Sequence, residues 1–269
     1  MKYFLLTTIA FLLFTGLKPK KTYDISPADF GLKYKEYEIE TKDNYKLKAW
    51  LFLPPRTSGT TVIICHDGEG NMQKTIEKAG FFMSMGYKVL TYDYRGFGES
   101  DDFDINEKFF IYAQFQKDLD AVIDFADNQA NNTRVYLYGK GMGAGLSLAT
   151  GANSRKVQKV IADSPYKDLI SLQAKFKTAK SEDILIPLAY DKNLIDPAVG
   201  LANKEAKLKK YLIIYGGDDE IYDKSDMKDL SKIQKDNTEL EEIKKADYSS
   251  TYSNDKTAYF KIIEDFLSK

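Results

Sequence analysis

Five short apolar runs, Thr61–Cys65, Tyr87–Tyr92, Val135–Tyr138, Val160–Ala162 and Tyr211–Tyr215, alternate with longer stretches of helical periodicity. Runs with almost no polar face suit strands buried on both sides, as in a parallel sheet covered by helices. Between two of them, Phe115, Leu119, Val122, Ile123 and Ala126 recur at about 3.6-residue spacing, the stripe of an amphipathic helix. Ahead of this alternation, Tyr34–Thr41 and Lys46–Leu53 flank Asp43 and Asn44, which predicts a hairpin. Leu47, Ala49, Leu51 and Leu53 give its second strand one steadily apolar face. A last strand near Leu240–Lys244 and a helix over Asp255–Leu267 close the series. The expected fold is α/β: one doubly wound, mostly parallel sheet with an antiparallel N-terminal edge. A chain of 269 residues can bury such a core, and no Pro/Ser-rich linker divides it.

Residues 1–21 stand apart. An apolar run from Tyr3 to Leu17 follows one lysine and precedes Lys18, Lys20 and Lys21. The run is shorter than the roughly 20 residues of a spanning helix. It reads as a signal peptide or short N-terminal membrane anchor, although Phe14 and Gly16 make no A-x-A cleavage pattern. The expectation is an exported protein, periplasmic, extracellular or membrane-anchored, with residues 22–269 as the folded domain and membrane association through the N-terminus. A net charge of −1 gives no global pull toward nucleic acid. One cysteine, Cys65, precludes an intrachain disulfide and a multi-thiolate zinc site. His66 is the sole histidine, so any mechanism that needs one must use it, and any that needs two is gone.

In a doubly wound sheet, function gathers at the C-terminal ends of the strands. Those ends carry His66-Asp67-Gly68-Glu69-Gly70, then Asp93-Tyr94-Arg95-Gly96-Phe97-Gly98-Glu99-Ser100, then Gly139-Lys140-Gly141-Met142-Gly143, then Asp163-Ser164-Pro165, then Gly217-Asp218-Asp219-Glu220. In this order they resemble the α/β-hydrolase superfamily, nearest to single-domain serine hydrolases of the serine-aminopeptidase-like type. The resemblance spans about Tyr34 to Leu267.

What the resemblance implies is then read residue by residue. Asp219 stands in the place of the triad acid. Gly68 and Met142 stand where backbone N–H groups form an oxyanion hole. Gly141 occupies the nucleophile position, where the relatives carry serine. The histidine position falls in Ala246–Ser250, with Tyr248 as its counterpart. His66 matches a structural histidine rather than the catalytic one, and Asp67 replaces a glycine beside the presumed oxyanion hole. Acyl transfer by such a triad needs a hydroxyl to attack and an imidazole to take its proton. Losing either costs about 10⁶ in turnover. Glycine at the apex fits a strained turn no longer used for attack.

The favoured expectation is therefore a degenerate, non-catalytic relative that binds a small-molecule or peptide ligand in the old cleft or serves as an envelope scaffold. No cofactor or metal is required by that reading. A second reading keeps a hydrolase or acyl transferase, with Asp219 and Tyr248 acting on water. A third takes Gly139-Lys140-Gly141-Met142-Gly143-Ala144 as a dinucleotide loop, with Asp163 as its ribose acid. Asp67, Glu69, Asp218, Asp219 and Glu220 could also form an acidic rim for a cation. Ser147 and Cys65 read as packed core residues, Ser100 and Ser164 as turn residues. The short Ser164–Lys210 segment has room for two small helices but no lid domain.

Overall fold

A computed structural model describes residues 16–129, 132–203 and 208–269. The strands are β1 (Lys18–Pro19), β2 (Tyr34–Glu40), β3 (Lys46–Phe52), β4 (Thr60–Cys65), β5 (Glu69–Gly70), β6 (Lys88–Tyr92), β7 (Arg134–Lys140), β8 (Val157–Asp163), β9 (Lys210–Gly216) and β10 (Thr238–Ile243). Eight of them form one sheet in the order β10-β9-β8-β7-β4-β6-β3-β2. Pairing is parallel from β10 through β6, and β3 runs antiparallel to both β6 and β2. The predicted hairpin and antiparallel edge are thus present.

The helices are α1 (Ile76–Ser84), α2 (Gln114–Asp127), α3 (Met142–Asn153), α4 (Leu169–Lys175), α5 (Lys192–Ile195), α6 (Pro197–Ala202), α7 (Lys224–Ile233) and α8 (Lys256–Ser268). Cores lie on both faces of the sheet. Leu47, Leu51, Ile63, Leu90 and Leu137 pack on one side with Phe115, Leu119 and Val122 of α2. Trp50, Phe52, Val62, Ile64 and Tyr138 pack on the other with Phe82 of α1 and Tyr259, Ile263 and Phe266 of α8. The sequence showed one apolar face on β3, but Trp50 and Phe52 bury its second face as well. The described residues of segment 164–210 carry three short α-helices, α4, α5 and α6, rather than two, and build no lid domain.

Local chemistry sets the ends of these elements. Asp255 accepts a hydrogen bond from the Ala258 N–H and caps α8, and Asp223 does the same for α7 through Asp226 N–H. Such caps are worth about 1 kcal/mol each. The loop after β6 is pinned by Arg95, which is buried and donates to Asp118 through Nε (2.8 Å) and Nη2 (2.6 Å). It also donates to both oxygens of Asp43 at 3.0 and 2.9 Å. Removing one member of such a buried pair would strand the others without water. Arg95 therefore holds the Asp-Tyr-Arg-Gly loop in shape.

Residues 16–21, which the sequence reading set aside with the leader, pack on the domain. Leu17 is 1% exposed, and β1 pairs in parallel with β5 in a separate two-stranded ladder. Residues 1–15, which carry most of the expected leader, lie outside the described residues. Among the described residues no helix is long and apolar enough to cross a membrane.

Candidate active-site cleft

The cleft forms where β7 ends, the chain turns at Gly141 and α3 begins. Gly141 has φ 53° and ψ −117°, a left-handed backbone that favours glycine. Gly143, two residues on, lets the helix close on the strand beside it: a Cβ there would meet the Cys65 and His66 carbonyl oxygens at 2.3 and 2.6 Å. The elbow is intact as a backbone object.

Its apex is occupied from the side. A Cβ on Gly141 would lie 2.5 Å from the Tyr248 hydroxyl and 3.0 Å from the ring. Tyr248 donates a hydrogen bond to Asp67 Oδ2 at 3.0 Å and stacks on Tyr222, with centroids 5.0 Å apart and planes at 28°. Lys140 Nζ sits 4.7 Å from the Tyr248 ring centroid. Burial, reinforced by the Asp67 carboxylate, holds the phenol well above its ordinary range. Tyr248 is therefore a proton donor here and no base at neutral pH.

The loop that presents Tyr248 is built from its own polar residues. Ser250 N–H and Oγ–H both donate to Asp247 Oδ1, and Asp247 N–H donates to Ser250 Oγ. Thr251 anchors the loop to the core by donating to Asp163 Oδ2 at 3.0 Å. Tyr259 donates to the same oxygen at 2.8 Å, and Ser164 Oγ donates to Oδ1 at 3.0 Å. Asp163 is thus fully buried with both oxygens engaged, which leaves no carboxylate at this strand end for a ribose.

Asp219 sits on the loop after β9. Its Oδ1 accepts from the Ile221 and Tyr222 N–H groups, both at 2.8 Å. Its Oδ2 is buried and has no hydrogen-bond partner. Desolvation raises its pKa above the ordinary carboxylate value. An orphaned buried acceptor is costly. Asp218 N–H donates to the Ala246 carbonyl at 2.9 Å, which ties the acid loop to the Tyr248 loop.

His66 is buried and does not line the cleft. Its Nδ1 accepts from Gly68 N–H at 3.2 Å, which places the proton on Nε2. Nε2 lies 3.7 Å from Asp93 Oδ1 and makes no hydrogen bond. Burial pulls the imidazole down to about 4, so it is neutral. Asp93 accepts from Met72 N–H at 2.7 Å and from the Tyr23 hydroxyl, and burial pushes it up to about 7.

Gly68 has φ +81° and lies under Leu17, whose Cδ2 is 2.6 Å from where a Cβ on Gly68 would project. Met142 Cε is 3.3 Å from the same point. Lys18 N–H donates to the Gly68 carbonyl at 2.9 Å and Lys20 N–H to the Gly70 carbonyl at 2.9 Å. The presumed oxyanion loop thus carries the N-terminal strap on its surface.

A cavity of about 600 Å³ remains beside Tyr248. Asp67, Met142, Asp219 and Tyr248 line it as the sequence reading groups them, while His66, Gly68 and Gly141 are not part of its lining. The sequence reading missed Gly16, Lys18, Phe110, Phe176, Lys180 and Tyr222 in the lining. Tyr222, three residues past Asp219, carried a readable signal as the aromatic neighbour of the acid. Among the described residues no three His, Cys, Asp or Glu side chains gather as a metal-binding group.

This sheet order, elbow and acid loop define an α/β-hydrolase fold. A family model described as serine aminopeptidase, S33, matches residues 57–188. The Pyrococcus furiosus esterase Pf2001 superposes with a TM-score of 0.74 at 22% identity, covering 94% of this chain and 97% of that one. The α/β hydrolase GrgF from Penicillium does so at 0.67 and 18% identity, over 88% and 98%. Among curated sequences, the uncharacterized protein YqkD of Bacillus subtilis is 23% identical over 92% of this chain and 79% of its own length. The α/β hydrolase domain-containing protein WAV2 of Arabidopsis thaliana is 22% identical over 56% of this chain, a match spanning about half (49%) of that protein. The quorum-quenching protein AidA of Acinetobacter baumannii is 30% identical over 47% of this chain and 42% of its own length.

Proposed function

We propose that this chain is an α/β-hydrolase-fold protein without acyl-transfer activity, whose former catalytic cleft binds a small molecule or peptide in the cell envelope. One observation carries the reading: the Tyr248 hydroxyl fills the volume that a nucleophile side chain at position 141 would need. Position 141 itself supplies no oxygen to attack a carbonyl, and the Tyr248 hydroxyl beside it is engaged as a donor to Asp67 Oδ2. No imidazole faces Asp219 Oδ2 to take a proton, since the sole histidine is buried, neutral and turned toward Asp93. The apolar N-terminal run supports the envelope placement.

The test is labelling by a fluorophosphonate probe. The parent protein stays unlabelled, and so does Gly141→Ser, because its new side chain meets Tyr248. Gly141→Ser combined with Tyr248→His gains weak labelling. Labelling of the parent above a heat-denatured control overturns the proposal.

The orphaned Asp219 Oδ2 favours one second reading, in which this carboxylate orients a water for hydrolysis. That reading requires an esterase or amidase rate in the parent that Asp219→Ala abolishes while the protein stays folded.

A further inference from the structure

The cavity beside Tyr248 has an apolar floor and a charged mouth. Phe110, Met142, Phe176, Ile221 and Tyr222 line it and are buried, so they form the floor. Glu69, Lys180, Asp218, Glu220 and Asp247 line it and are exposed, which puts them at the mouth. The volume of about 600 Å³ lies within the range of small-molecule pockets, about 300–1,000 Å³. Phe110, Phe176 and Tyr222 make the floor largely aromatic, a surface that suits a ring.

The charges of this cavity are unequal. Six carboxylates line it against three lysines, Lys18, Lys140 and Lys180. Glu220 is paired with Lys180 at 2.9 Å and Glu69 with Lys74 at 3.3 Å. Asp67 and Asp247 are held by hydroxyl and N–H donors, which bring no positive charge. Asp219 Oδ2 is buried and has no partner, and Asp247 is near enough to oppose its ionisation. The resident cation registers the imbalance. Lys180 is held protonated above its ordinary range by its hydrogen bond to Glu220, with Asp219 and Asp247 adding to the attraction. Among the described residues these carboxylates do not converge as a metal-binding group. Charge spread around a mouth acts through its field, which is focused by low-dielectric walls.

We infer that the cleft selects a monovalent organic cation, with a ring-bearing apolar body on the floor and a positively charged head among the carboxylates of the mouth. The inference deepens the ligand-binding reading above and rests on it. Because the carboxylates act by field and do not converge on one point, the head needs charge and no N–H donors. Because the mouth is exposed, its pull on that head weakens as salt screens it. Lys180 is the internal competitor: it occupies Glu220 and lowers the negative charge that a ligand meets.

The experiment is calorimetric titration of the full chain with three probes that share one naphthylmethyl body. They are 1-naphthylmethyltrimethylammonium, neutral 1-naphthylmethanol and anionic 1-naphthylacetate. The expected result is that the cation binds about tenfold tighter than the acetate at low salt, with the alcohol between them. High salt brings the three together. Glu69→Gln with Asp218→Asn, two exposed positions, lowers the cation's affinity severalfold and leaves the alcohol's unchanged. Lys180→Gln frees Glu220 and raises the cation's affinity severalfold. Retained Trp50 emission shows that each variant is folded. A cation bound no tighter than the acetate, a preference that survives the double variant or high salt, or no measurable binding of the cation overturns the inference. The neutral alcohol reports the ligand-binding reading by itself, and fluorophosphonate labelling reports the loss of acyl transfer, so each fails separately from this one.

Discussion

Placing a single methyl group at the elbow is the sharpest perturbation of this site. Gly141→Ala adds a Cβ to a residue at φ 53°, which costs roughly 1–3 kcal/mol in backbone strain. The same Cβ would sit 2.5 Å from the Tyr248 hydroxyl, so the ring must move and its 3.0 Å hydrogen bond to Asp67 must stretch or break. A hydrogen bond to a charged acceptor is worth about 1.5–3 kcal/mol. The single substitution is therefore expected to cost about 2.5–6 kcal/mol, the sum of both effects. In a Tyr248→Ala background the steric part vanishes and only the strain remains. The cycle should show a favourable coupling of about 1.5–3 kcal/mol between the two sites. Urea unfolding reads it directly, because Trp50 is the sole tryptophan and is buried. Additivity of the two single substitutions to within about 0.5 kcal/mol would refute the claim that Tyr248 occupies the nucleophile's volume.

Other expectations follow from the same structure. Asp93, pushed up to about 7, holds a proton in the folded state that the unfolded chain releases near 3.9, so this group makes stability fall as pH rises between those values. Asp93→Asn removes that slope, and the stability difference should shift toward the variant by up to about 4 kcal/mol from pH 4 to pH 7. His66, held near 4 by burial, slopes the opposite way and is common to both proteins, so a pH-independent difference would contradict the assignment. Leu17→Ala should cost about 2–3 kcal/mol of strap docking, seen as faster hydrogen exchange at the Lys18 and Lys20 amides than at β4; unchanged exchange would mean the strap is held by other contacts. Arg95→Ala should cost about 3–5 kcal/mol by stranding Asp118 in the core, and a shift in urea midpoint worth less than about 1 kcal/mol would remove its structural role.

Much of this protein is legible in one dimension. The nearly all-apolar runs Thr61–Cys65 and Tyr211–Tyr215 declared themselves as buried parallel strands because they offer water almost no polar face. The hairpin around Asp43 and Asn44 followed from alternation and turn chemistry, and Asn44 adopts φ 63° there. The strand-end motifs located Gly141, Asp219 and the Tyr248 loop because a doubly wound sheet puts such ends at one edge. Composition settled that no second histidine exists to serve a triad.

Other features were invisible at that level. Residues 16–21 read as the end of a leader, since pairing with Glu69–Gly70 is a long-range event with no local signature. Gly139–Ala144 with Asp163 read equally as a dinucleotide loop. Only the packing of Thr251 and Tyr259 onto Asp163, 88 and 96 residues along the chain, shows the carboxylate to be consumed inside. The sequence by itself determined the sheet, its strand-end loops, the glycine at position 141 and the single histidine, because periodicity and residue identity are local properties. What fills the vacated space, Tyr248 over Gly141 and Leu17 over Gly68, was decided by tertiary structure alone, because steric occupancy depends on residues that only the folded chain brings within a few ångströms.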